Sequence, residues 1–129
     1  MLRNSSPRKG TEDRHNYLKK VMDKDDIMYI PEDAEVFTAK GRKVAIIYRR
    51  MPEGVTENNW GFTIKEEDLY TVIINAEISL PTQRQVLGHE LAHIFCGHFE
   101  MKDVDPEFKE NEANEKAWEY YELYKEGRL

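Results

Sequence analysis

The sequence predicts an α+β domain: a small, mostly antiparallel sheet packed with an N-terminal helix, a central helix and a C-terminal helix. Two observations carry that prediction. Up to about residue 78, short β-branched runs alternate with turn residues. From about residue 82 onward, apolar residues recur at helical spacing instead. The length of 129 residues suits one domain with one core.

The elements follow in order. Residues 1–10 combine Ser, Pro, Gly and basic side chains and are expected to be a disordered basic arm. Residues 11–129 are then the single domain. Tyr17, Leu18, Val21 and Met22 share one side of a helix over residues 11–24, and Pro31 ends any such helix. Residues 35–39 and 43–50 (KVAIIYRR) read as two strands, with Gly41 supplying a tight hairpin turn. Pro52 and Gly54 mark residues 51–59 as a loop. Residues 60–64 read as another strand, and residues 69–78 (LYTVIINAEI) as the strongest one. Thr82 and Gln85 have the spacing of a capping box, so a helix is expected from there to Cys96, with Gly97 as its stop. Residues 102–105 form a loop. Pro106 suits the first turn of a last helix over residues 106–126.

Composition limits the function classes. Apolar residues make up 40% and charged residues 34%, the balance of a soluble globular protein. The longest apolar runs are too short to cross a bilayer, and no apolar stretch follows the basic N-terminus as a secretory signal requires. A single cysteine excludes an internal disulfide, which suggests a reducing compartment and a cytoplasmic location. The net charge of −6 is uneven. Residues 1–50 carry twelve Lys/Arg against eight Asp/Glu, residues 51–98 two against seven, and residues 99–129 five against ten. An acidic body of this kind is not expected to bind nucleic acid directly. The basic N-terminal part reads as a solvated arm and helix face.

Residues 89–93 read HELAH, an H-E-x-x-H motif. On a helix, residues four apart lie one above the other, so His89 and His93 can aim two imidazoles at one point. Convergence of that kind is what a tetrahedral Zn2+ site requires. Glu90 is turned about 100° from His89, beside the ion but not bound to it. That is the place for the general base of a metal-activated water. Leu87, Leu91, Ile94 and Phe95 fall on the opposite side and are expected to pack on the sheet, while the histidine face looks into a cleft. Gly88 and Ala92 are small enough to let another helix approach closely.

A catalytic zinc normally has three protein ligands. The metzincin pattern needs Gly at position 96 and His at position 99, where this chain has Cys96 and Phe99. Deformylases take a cysteine from upstream of the motif, whereas Cys96 lies within the same helix. A carboxylate from the last helix is the better solution. Glu110 shares a helical stripe with Ala113, Asn114, Ala117, Tyr121 and Tyr124, and an inward carboxylate is costly unless it is paired or ligates a metal. Glu110 is therefore the preferred third ligand. Glu112 is the rival, because a register error is easily made on a helix this acidic.

The segments QRQVLGHELAHIFCGH and ENEANEKAWEYY together resemble the ImmA/IrrE family of zinc-dependent metallopeptidases. In that family the H-E-x-x-H helix follows a strand resembling IIIN, matched by residues 72–75, and a later helix carries E-x-x-A-x-x-F-A. Glu110, Ala113 and Ala117 fit the latter, with Lys116 in place of the usual aromatic residue. The likeness covers roughly residues 55–125. It implies a zincin-like fold, with His89, His93 and Glu110 as zinc ligands and Glu90 as the catalytic glutamate. It also implies a role among mobile elements and transcription regulation, where members cleave or inactivate helix-turn-helix repressors.

The expected activity is hydrolysis of a peptide bond by metal-activated water, on a protein substrate such as a helix-turn-helix repressor, away from membranes. Tyr120, Tyr121 and His98 are candidates for steadying the oxyanion. Cys96 is expected to be a small buried apolar group, and His15 has no role. The alternative is a zinc-binding regulatory or toxin–antitoxin partner without proteolysis. A peptide substrate would add as an extra strand to an exposed sheet edge.

Overall fold

The structure is a computed structural model that describes residues 30–50 and 60–129. The expected arm, the expected helix over residues 11–24 and the loop over residues 51–59 lie outside these residues. The chain forms two compact units, Met1–Ile78 and Ser79–Leu129.

The first unit holds a four-stranded mixed sheet of order β1-β2-β4-β3. Its strands are β1 (Glu35–Ala39), β2 (Arg42–Arg49), β3 (Gly61–Glu66) and β4 (Leu69–Asn75). The β1–β2 hairpin forms as expected around Lys40 and Gly41, which take φ of 52° and 78°. Paired positive φ values match the right-handed twist of the flanking strands. A second two-residue turn at Glu67 and Asp68 joins β3 to β4, with Glu67 also at positive φ. Strand β4 stops at Asn75, short of the expected residue 78. There the Asn75 side-chain oxygen accepts from the Glu77 backbone N–H at 2.8 Å and turns the chain.

Two of the three pairings, β1–β2 and β3–β4, are antiparallel, in line with the mostly antiparallel expectation, and the third is not. β2 and β4 run parallel, with Val44 opposite Tyr70 and Ile46 opposite Val72. Burial accounts for it. Val44, Ala45, Ile46 and Ile47 are all buried, as are Val72, Ile73 and Ile74. Successive strand residues point to opposite faces, so these runs are covered on both sides, the pattern of central parallel strands.

The second unit holds the two helices found among the described residues, α1 (Leu80–Phe95) and α2 (Pro106–Lys125), joined through a 3₁₀ turn at His98–Glu100. Helix α1 begins earlier than the Thr82–Gln85 pair suggests. Ser79 is its cap, accepting from the Thr82 N–H at 3.3 Å, and Pro81 presets the first turn. Replacing Ser79 with Ala is expected to lower stability by about 1 kcal/mol in denaturant unfolding. Gly97 ends the helix at φ 78°, as its position predicts. Asp105 caps α2 by accepting from the Glu107 N–H at 3.0 Å, and Pro106 sits in the first turn. No described helix is long and apolar enough to cross a membrane.

The two helices pack closely because small residues face each other. A Cβ on Gly88 would collide with the carbonyl oxygen of Ala117 and lie 2.8 Å from its carbonyl carbon. Ala113 and Ala117 are buried along the same stripe of α2. Phe95 stacks on Tyr120 of α2, with ring centroids 6.4 Å apart.

Candidate metal centre

The i, i+4 spacing delivers its two rings as anticipated. His89 and His93 meet edge to face, with Nε2 atoms 3.1 Å apart. From α2, Glu110 reaches both. Its Oε1 lies 3.3 Å from His89 Nε2 and its Oε2 lies 3.0 Å from His93 Nε2. His89 is 2% exposed, so water does little to separate these groups.

The donor set fits a tetrahedral cation. An ion held at about 2.0–2.1 Å would place its ligand atoms about 3.3–3.4 Å apart. The two imidazole nitrogens are 3.1 Å apart, and each lies 3.0–3.3 Å from a different oxygen of Glu110, separations of that size. Two imidazoles and a carboxylate converging from two helices are a donor set of the kind that holds a divalent cation. Burial alone would push the Glu110 carboxyl up, but hydrogen bonds from His89 and His93 outweigh it and hold the group well below the ordinary carboxylate range.

Glu90 follows His89 on α1 and is 4% exposed.

The rival carboxylate is engaged elsewhere. Glu112 Oε1 lies 2.7 Å from His98 Nε2, and its other oxygen faces Lys116 at 3.7 Å. His98 Nδ1 lies in turn 2.9 Å from His93 Nδ1. Burial pushes His98 towards its neutral form, against the pull of Glu112, while the His98 hydrogen bond holds Glu112 ionised. Both ring nitrogens of His98 are therefore occupied, which removes it as an oxyanion donor. This link between Glu112 and His93 escaped the sequence. The only trace of it was Gly97, whose left-handed backbone turns His98 back beside the helix end.

The two tyrosines have their own contacts. Tyr120 stacks on Phe95, receives the Cys96 thiol at 3.8 Å and has its hydroxyl pushed up to about 12 by burial, so it stays protonated. Tyr121 packs between Trp118 and Tyr124. Cys96 is half-buried rather than fully buried, and burial pushes its thiol up, away from a reactive thiolate.

Residues 39–123 match the family model of the IrrE N-terminal-like domain, a domain of peptidase type. The chain belongs to this family. The IrrE-like match runs from the end of β1 through most of α2, starting upstream of the stretch over which the sequence resemblance was drawn. It contains both helices' contributions to the cluster: His89, Glu90 and His93 from one, Glu110 from the other. No curated protein and no solved structure matches the chain.

Proposed function

We propose that this IrrE-like domain is a zinc-dependent endopeptidase, in which His89, His93 and Glu110 hold the ion and Glu90 is the general base. The observation that carries the reading is the convergence of two imidazole nitrogens and one carboxylate, from two helices, within 3.3 Å of one another. When bound, zinc supplies Lewis acidity that acidifies water and polarises the scissile carbonyl. Glu90 takes a proton from the water that adds to that carbonyl carbon. It then delivers the proton to the amine nitrogen as the C–N bond breaks. The three ligand side chains fix where this happens, and the burial of His89 and Glu90 keeps bulk water from screening the charges.

The proposed substrate is a cytoplasmic protein, a helix-turn-helix repressor, on the strength of the sequence resemblance. The test is to incubate the zinc-loaded protein with the purified repressor encoded beside its gene. Cleavage that stops with chelator and returns with zinc is the expected result. A repressor left intact by protein with zinc bound would instead favour a regulatory partner without proteolysis.

The two acidic rivals give a direct comparison. Glu110→Ala should remove zinc binding at micromolar concentrations and all cleavage, because two imidazoles alone hold zinc weakly. Glu112→Ala should keep a measurable zinc site. The reverse order in a chelator competition would exchange their roles.

A further inference from the structure

Ligation at His93 settles the protons of a longer chain of contacts. His93 Nε2 must present a lone pair to an ion, so its proton belongs on Nδ1. That N–H faces His98 Nδ1 at 2.9 Å, which must therefore accept. His98 then carries its own proton on Nε2 and donates it to Glu112 Oε1 at 2.7 Å. Each atom is used once, and no donor faces a donor. Phe99 packs edge-on against the His93 ring, with centroids 6.5 Å apart, and limits its rotation. The other imidazole lacks such support: His89 Nδ1 is buried with no hydrogen-bond partner among the described residues.

We propose that His98 and Glu112 are positioning residues, a carboxylate–imidazole relay that holds His93 in its Nδ1–H tautomer with Nε2 aimed at the metal. This rests on the metal-centre reading above. Local structure makes it possible. Gly97 adopts φ 78°, which folds the chain into the 3₁₀ turn and brings His98 beside a residue five positions earlier. Glu112 comes from α2, so the relay also ties the two helices together at the site. Cys96, His98 and Glu112 can be viewed as a second group of potential metal ligands, their ligand atoms lying within 4.8 Å of one another. The 2.7 Å separation of His98 and Glu112 is instead a charge-assisted hydrogen bond, and Cys96 is directed to the Tyr120 hydroxyl.

The experiment is a zinc competition titration against a chromophoric chelator. It uses the full chain, His98→Ala, His98→Asn, Glu112→Ala and the His98→Ala/Glu112→Ala double variant. His98→Ala should weaken zinc binding about 10–100-fold, the usual effect of losing an outer partner of a ligating histidine. His98→Asn should recover much of the loss, because its carbonyl oxygen can take the place of Nδ1. Glu112→Ala should weaken binding in the wild-type background and add nothing to His98→Ala, since it acts only through that ring. Long-range nitrogen–proton NMR correlations on the zinc-loaded wild type should show His93 protonated at Nδ1 and His98 at Nε2. A merely structural role would not set those tautomers, and this readout survives even if His98→Ala fails to fold. Variant affinities within about twofold of wild type, or His98 protonated at Nδ1, would overturn the relay. A second zinc equivalent lost in Cys96→Ser would overturn it in favour of a second metal site. A wild type that takes up no zinc would overturn the metal centre itself, a different outcome from a zinc-binding wild type with indifferent variants.

Discussion

Glu90→Gln is expected to reduce peptide cleavage by two to four orders of magnitude while leaving zinc affinity and melting temperature close to wild type. The amide preserves the shape of the side chain but cannot accept the water proton. Proton transfer by a positioned side chain typically contributes about 10²–10⁴-fold, or roughly 3–5 kcal/mol of transition-state stabilisation. Zinc affinity should hold because the proposed ligands are His89, His93 and Glu110, and Glu90 is not among them. The stability expectation follows from burial. Glu90 is 4% exposed, and the amide fills the same buried space. Single-turnover cleavage, with zinc content measured on the same sample, checks it. Retention of more than about a tenth of wild-type activity would remove Glu90 from the role of base.

The second large effect is structural. Gly88→Ala should destabilise the protein by about 2 kcal/mol and weaken zinc binding as well. In an open helix this substitution would stabilise by about 1 kcal/mol, because glycine is a poor helix former. Here the added methyl group meets the carbonyl oxygen and carbon of Ala117, with Tyr121 Cβ 3.1 Å away. Those are backbone and near-backbone atoms, so no rotamer change relieves the overlap and α2 must shift. Overpacking of this kind costs about 1–3 kcal/mol, and a collision with backbone belongs at the upper end. Glu110 rides on α2, so the shift also carries the proposed third ligand away from His89 and His93. Thermal unfolding and a zinc titration together check this. A melting temperature unchanged from wild type would mean that the helices are not in the close contact described.

Local features of this protein were legible in its residues, because short-range geometry dictates them. The helical repeat alone puts His89 and His93 on one face. Positive-φ turn chemistry alone places the β1–β2 hairpin at Gly41 and ends α1 at Gly97. Where local reasoning failed, it failed between equivalent signals. Ser79 and Thr82 both look like caps, and only the hydrogen bond to the Thr82 N–H distinguishes the cap from the residue it caps. The parallel pairing of β2 with β4 left no mark in strand order, because pairing depends on which apolar runs are covered on both faces.

The choice between Glu110 and Glu112 lies on the other side of that line. The two are separated by one residue on a helix dense in acids, and periodicity can favour one but not seat it. What seats them is the approach of α2 to α1 through Gly88 and Ala117, which turns Glu110 towards the two imidazoles and Glu112 towards His98. By itself the sequence determined that two imidazoles share a helix face beside a glutamate, since a 3.6-residue repeat needs no partner. Only the tertiary structure decided which carboxylate lies against the two imidazoles and which against His98, because both distances are set by the rotation of one helix against another.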